Sequence, residues 1–190
     1  IDLKLRKLEL FLINEVPRYD YLKHFGPTLI SLTLIIRDVE SYDSEFHISK
    51  LKRLQEFNVS FEGVINQEYL ISYMMKLAQI MSNFPHLKKF SLRSESEAGL
   101  DLFFQDIEKI PHLKEFTLEA PLLCPHCIGH IAEFLKRQHG LTKFGVTDIK
   151  HSRAENHTNT ATGIKEKSSK LNSSVISYFY DGLKYSVKTL

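Results

Sequence analysis

Hydrophobic and polar positions alternate in six short segments of the chain, and all six segments fit one template. The template reads leucine, two unrestricted positions, leucine or phenylalanine, one unrestricted position, and leucine or valine. The leucines at template position 1 are separated by 24 to 33 residues and are Leu5, Leu29, Leu54, Leu87, Leu113 and Leu141. Composition alone predicts about one match, so six matches indicate an internal repeat. Alternation with a period of two predicts a strand with one buried face in every repeat.

Helical periodicity occupies the three longer connections between these strands. Apolar residues recur at helical spacing over 66–84, where Asn66 is the predicted N-cap and Pro85 lies beyond the end. The same spacing predicts helices over about 100–110 and 125–138. Strand and helix units that repeat at this period predict an α/β solenoid, with a curved parallel β-sheet inside and helices outside.

These repeats resemble the leucine-rich-repeat family, specifically the helix-bearing, ribonuclease-inhibitor-like kind that also occurs in F-box adaptor proteins. The resemblance rests on the leucine-led template and its period, and it covers roughly residues 3–148. The asparagine or cysteine that usually follows the strand in this family is absent here. The resemblance implies protein binding on the concave face of the sheet. Its F-box version implies substrate capture for a ubiquitin ligase.

The chain divides into three parts by composition. Residues 1–148 form the predicted array of six strand–helix units, and 149–170 form a polar, flexible insertion. In 171–190 we expect one more helix and the start of a seventh repeat strand, from apolar residues four apart: Leu171, Val175, Phe179 and Leu183. The first predicted strand has no polar capping unit before it, so we expect a longer array or end-on packing against another chain.

Charge and cysteine content narrow the function classes. Twenty-five Lys+Arg against 23 Asp+Glu give the 190 residues a formal charge of +2, which argues against a dedicated nucleic-acid binder. Two cysteines exclude a disulfide scaffold and fit a reducing, intracellular compartment, cytoplasm or nucleus. No apolar run is long enough to cross a membrane. The alternative of accessory nucleic-acid contact rests on the basic insertion, through Lys165, Lys167 and Lys170.

Cys124-Pro125-His126-Cys127 is the one local motif with a chemical meaning. It follows a predicted strand and opens a predicted helix, where the helix N-terminus would favour the Cys124 thiolate of a thiol-disulfide oxidoreductase. Thioredoxin-like enzymes also need a later cis-proline, and no proline follows Pro125. The same cysteines could form half of a zinc site with histidines, but no second tight pair is present. The third interpretation makes the cysteines small core residues, and we expect no catalysis and no cofactor.

The outward positions of the strands are the candidate binding residues. Positions 3, 5 and 7 of the template point away from the core. At position 7, Phe11 and Ile35 form an apolar pair, which is either a docking patch or a surface covered by a further N-terminal element. Farther along the same row, Arg93 and Glu119 supply opposite charges. We therefore expect a non-catalytic protein-interaction module, a scaffold subunit or substrate adaptor, whose partner contacts these four residues.

Overall fold

The computed structural model describes residues 5–13, 28–38, 48, 51–107, 110, 113–121, 123 and 125–148. The predicted insertion at 149–170, with its lysines, lies outside the described residues. The helix and seventh strand predicted over 171–190 lie outside them as well.

Six parallel strands form one sheet, in which spatial order follows chain order. Consecutive strands pair, and equivalent template positions face each other in every pair, as in Glu56↔Lys89↔Glu115. The strands are β1 (Lys7–Ile13), β2 (Ser31–Arg37), β3 (Glu56–Glu62), β4 (Lys89–Ser94), β5 (Glu115–Ala120) and β6 (Lys143–Asp148). An all-parallel sheet combined with the three helices described below confirms the predicted α/β class.

One hydrogen-bond arrangement recurs where each strand begins. The carbonyl oxygen at template position 2 accepts two backbone N–H groups of the next strand. The Arg6 carbonyl accepts from Ile30 at 2.8 Å and from Ser31 at 2.9 Å. The same pair of bonds forms at the other four strand junctions, ending with Thr142 and Lys143 on the Lys114 carbonyl. Each strand is therefore joined to its predecessor at the same atom, which fixes the common register.

Three helices lie in the part of the chain that the structure describes. They are α1 (Gln67–Met81), α2 (Leu100–Ile107) and α3 (Pro125–Arg137). The predicted N-cap is confirmed, because the Asn66 side chain accepts a hydrogen bond from the Glu68 N–H at 2.9 Å. All three predicted helices are present, and each ends one to three residues earlier than its apolar spacing indicates.

The core lies between the helices and the face of the sheet formed by template positions 4 and 6. Position 4 carries a row of phenylalanine rings on four adjacent strands, with ring centroids 5.8–5.9 Å apart: Phe57, Phe90, Phe116 and Phe144. Helix rings pack onto this row, with Phe103 of α2 at 5.8 Å from Phe90 and Phe134 of α3 at 5.4 Å from Phe116. Burial of these rings together with the surrounding leucine, isoleucine and methionine side chains stabilises the described part of the chain.

Two buried details hold the helices in place. Gln138, only 2% exposed, accepts a hydrogen bond from the Leu113 N–H at 3.0 Å and donates one to the Ile110 carbonyl at 3.2 Å. Its amide thus ties the end of α3 to the turn that precedes β5. At the start of α2, Gly99 has a φ of +77°, and a Cβ there would lie 2.8 Å from the Cα of Ile71. Glycine is therefore needed for both the backbone conformation and the close approach of α1.

Candidate functional site

The face of the sheet opposite the helices consists of template positions 3, 5 and 7, and we call it the open face. Its described side chains are exposed or half-buried, except Ser31, which is 8% exposed. Side chains alternate along a strand, so burial of positions 4 and 6 under the helices directs these positions to the other face. Among the described residues, no helix packs on the open face, so its side chains are the candidates for contact with a partner.

The four partner-binding residues predicted from the sequence lie in one row of the open face. Phe11 faces Ile35 across β1 and β2, and Arg93 faces Glu119 across β4 and β5. Ser60 of β3 stands between the two pairs. Phe11 is 66% exposed, which is unusual for so large an apolar side chain. The row therefore has an apolar end and a charged end.

The residues that follow the apolar pair do not extend it. Leu12 is 8% exposed and Ile36 is fully buried, and both belong to the core. Alternation sends position 8 to the helix side of the sheet, so the exposed apolar area is confined to Phe11 and the half-buried Ile35.

A chain of ion pairs crosses the open face from β2 to β5. The Arg37 guanidinium donates to a Glu62 carboxylate oxygen at 2.6 Å, and Arg93 lies 4.0 Å from the other oxygen of that carboxylate. Arg93 also donates to Glu119 at 3.1 Å. Arg37 and Glu62 were not predicted as site residues, because they lie beyond the template. The sequence pattern that could have identified them is their spacing: each lies two residues after position 7 of its repeat, which places it on the open face.

Glu62 is the most enclosed member of this chain, with a side chain 20% exposed. The hydrogen bond from Arg37 lowers the pKa of the Glu62 carboxyl, against the effect of burial, and the Ser60 hydroxyl adds a donor at 2.9 Å. The same contact raises the pKa of the Arg37 guanidinium. The carboxylate therefore stays ionised at neutral pH, where it accepts a hydrogen bond from Arg37 and lies within ion-pair distance of Arg93.

The other two rows of the open face are polar. At position 3, Lys89 lies 2.8 Å from Glu115, and this hydrogen bond lowers the pKa of the Glu115 carboxyl. At position 5, the Asn58 amide donates to the Thr33 hydroxyl at 3.2 Å. Exposed ion pairs of this kind add little stability, so their main effect is to order the side chains of the face.

The cysteine motif is only partly within the described residues. Cys127 is 3% exposed and packs in the core, near the start of α3, whereas Cys124 lies outside the described residues. Among the residues that the structure describes, no group of three or more His, Cys, Asp or Glu side chains could hold a metal ion. The redox and zinc interpretations of this motif both need Cys124, so they stay predictions.

Comparison with known proteins identifies no relative. No family model, no curated protein and no solved structure matches the chain. Within the described ranges, none of the helices combines the length and the apolar character that a membrane span requires. The class of protein is therefore defined by the structure alone, as an α/β protein with a six-stranded all-parallel sheet.

Proposed function

We propose that this chain is a leucine-rich-repeat solenoid of the ribonuclease-inhibitor-like, F-box type, and that it is a non-catalytic protein-interaction module. In this proposal it works inside the cell as a scaffold subunit or a substrate adaptor and binds its partner on the open face. The repeated template, the chain-order parallel strands and the recurring hydrogen bonds at the strand starts support the repeat assignment.

The observation that carries the binding proposal is the asymmetry of the position-7 row. Protein interfaces combine a desolvated apolar or aromatic anchor with polar groups that fix orientation. Phe11, at 66% exposed, is a suitable anchor, and Ile35 beside it can complete an apolar contact. Arg93 and Glu119, at 41% and 37% exposed, offer opposite charges two strands farther along. A partner of complementary shape would bury the first pair and be oriented by the second.

Affinity purification of the full chain, read by quantitative mass spectrometry, tests the anchor. Phe11→Ser should reduce recovery of the specific partners about tenfold, because an anchor residue contributes at least that much to binding. Val64→Ser is the matched control, since Val64 is 83% exposed but lies after β3, outside the sheet. Recovery of the same partners with Phe11→Ser as with the wild type would refute the proposed binding face.

A double charge reversal tests the orienting pair. Arg93→Glu combined with Glu119→Arg keeps opposite charges at facing positions but reverses the order of positive and negative charge that the partner contacts. We expect weakened partner recovery and a slightly lower unfolding midpoint, because Arg93→Glu also places a second carboxylate beside Glu62, so recovery is compared under conditions where both proteins are folded. If recovery is unchanged, the two residues order the sheet and do not contact the partner.

A further inference from the structure

A cavity of about 570 Å³ opens at the edge of the sheet where the strands begin. It lies away from the position-7 row and is lined by residues on either side of the template leucines: Arg6, Thr28, Ile30, Arg53, Gln55 and His86. Three of them, Thr28, Arg53 and His86, directly precede a leucine, and the other three directly follow one. The same two template positions of four successive repeats thus build the cavity.

The backbone around this cavity is held rigidly. The carbonyl oxygens of Arg6, Ile30 and Gln55 each accept two N–H groups from the following strand. The Thr28 hydroxyl donates to the Leu5 carbonyl at 3.0 Å. The lining side chains therefore project from fixed points, as a preformed ligand site requires.

The cavity is positively charged. Among the described residues, its lining contains two guanidinium groups and no carboxylate. Arg6, Arg53 and His86 are exposed, and none of the ion pairs among the described residues involves either arginine. Guanidinium groups bind carboxylates in a planar, bidentate geometry. Two of them at one cavity without an internal counter-charge favour an anionic ligand.

The positive charge continues along the same edge beyond the cavity. Template position 2 holds no acidic residue in any repeat, and in the next two strands it holds the exposed Lys88 and Lys114. Neighbouring strands lie roughly 4.7–4.9 Å apart, so these cations form a row with spacings of about 5–10 Å. Alternate side chains of an extended peptide recur at about 6.6 Å and can reach such a row.

We infer that the cavity and this basic edge bind an acidic peptide segment, with aspartate or glutamate carboxylates paired to Arg6 and Arg53. The inference rests on the proposed function in that the ligand is part of a protein partner. Position 3, the adjacent row of the open face, alternates in sign from Glu56 through Lys89 and Glu115 to Lys143, which suits a ligand charged at intervals better than a polymer charged at every unit. A peptide places its carboxylates at intervals, and Ile30 and Gln55 give its intervening residues apolar and amide contacts.

Fluorescence anisotropy with the full chain tests this inference. The probe is a fluorescein-labelled peptide of alternating glutamate and serine, and glutamine replaces glutamate in the neutral control peptide. The acidic peptide should bind and the neutral one should not. Arg6→Gln with Arg53→Gln should weaken binding about tenfold or more, because two charge-assisted contacts are lost. Lys136→Gln with Arg137→Gln at the end of α3 removes the same net charge elsewhere and should change the Kd less than twofold.

Three results would overturn the inference: no binding of the acidic peptide, equal weakening by both double variants, or tighter binding of a single-stranded oligonucleotide than of the peptide. Matching unfolding midpoints of the two double variants exclude a folding artefact. Failure here is separable from failure of the proposed function. The peptide assay depends on the edge arginines, whereas the purification assay depends on Phe11 and its row.

Discussion

Replacement of Phe116 by alanine tests the architecture most directly. The ring is fully buried at the centre of the aromatic row, with ring centroids at 5.9 Å from Phe90 and 5.8 Å from Phe144 in the neighbouring strands. Two helix rings close over it, Phe104 of α2 at 6.3 Å and Phe134 of α3 at 5.4 Å. The substitution therefore removes contacts within the sheet and between the sheet and two helices.

The expected cost follows from these contacts. Burying a phenylalanine side chain contributes about 1.5–3 kcal/mol, and each well-oriented ring pair about 0.5–1.5 kcal/mol more. The pair contributions share one ring and do not simply add. Alanine substitution of buried aromatic residues typically costs about 3–5 kcal/mol. Because Phe116 contacts four rings, we expect the upper part of that range, about 4–5 kcal/mol.

Equilibrium unfolding in urea measures this loss as a lower midpoint with an unchanged slope. Thr117→Ala is the control, because Thr117 is the next residue along β5 but lies on the open face, where the cost should stay within about 0.5 kcal/mol. Phe144→Ala is a second reference. It has the same template position on the last described strand, where the ring is only half-buried, so its cost should be smaller. Equal losses for Phe116→Ala and Thr117→Ala would refute the strand register.

Three further predictions concern single contacts. Gln138→Leu should cost about 1–3 kcal/mol in urea unfolding, because two buried backbone groups lose their partner, and a neutral result would contradict the bridging role. Gly99→Ala should destabilise the protein by about 1–2 kcal/mol. Gly129→Ala should stabilise it by about 0.5–1 kcal/mol, because Gly129 lies in α3 and an added Cβ meets no atom within 4 Å. Thermal melts in which both variants shift the midpoint in the same direction would contradict the different roles of these two glycines. Folding lowers the pKa of the Glu62 carboxyl, so the stabilisation it provides is present above the ordinary glutamate pKa, about 4.3, and is lost as the pH falls through the lower folded pKa. Glu62→Gln and Arg37→Gln should therefore both weaken the dependence of unfolding free energy on pH in this acid range. An unchanged dependence in both variants would contradict the pairing of these two residues.

The strands could be predicted from the sequence because the alternation that marks them is also what buries them. Each strand nevertheless begins two residues after its template leucine. Position 1 is buried outside the strand, as at Leu29 and Leu54, and the N–H of position 2 makes the first hydrogen bond to the preceding repeat. Hydrophobic periodicity marks buried positions, whereas strand limits depend on hydrogen bonds.

The helix ends illustrate the same limit. Apolar spacing continues to Phe84 and Ile110, and both side chains are indeed buried, at 0% and 2% exposed. They lie beyond the helices, in tight turns closed by bonds from Phe84 N–H to the Met81 carbonyl and from Ile110 N–H to the Ile107 carbonyl. A proline follows each of them, which disfavours continued helix in the residue before it. The turns keep the apolar residues in the core while they end the helix.

The placement of the position-7 row was also predictable, since equal register in parallel strands puts equal template positions side by side. The ion-pair chain and the edge cavity were not. Arg37 and Glu62 lie past the template, and the cavity residues flank its first leucine. The template contains no information on which long side chain reaches which neighbour. Glu62, for example, lies between Arg37 on β2 and Arg93 on β4. Which of its neighbours it contacts depends on side-chain length and on the distances between the strands.

The three described helices lie on one side of the sheet and leave the register of the strands regular. The longest interval, 33 residues between Leu54 and Leu87, contains the 15-residue α1, yet β3 and β4 pair in the same register as the other strands. Positions 4 and 6 stay mainly apolar throughout, while positions 3, 5 and 7 range from lysine to glycine. The side chains of the core face must therefore stay apolar for the protein to be stable, whereas those of the open face can change without disturbing the core. This separation is the physical reason to expect partner specificity on the open face and its basic edge.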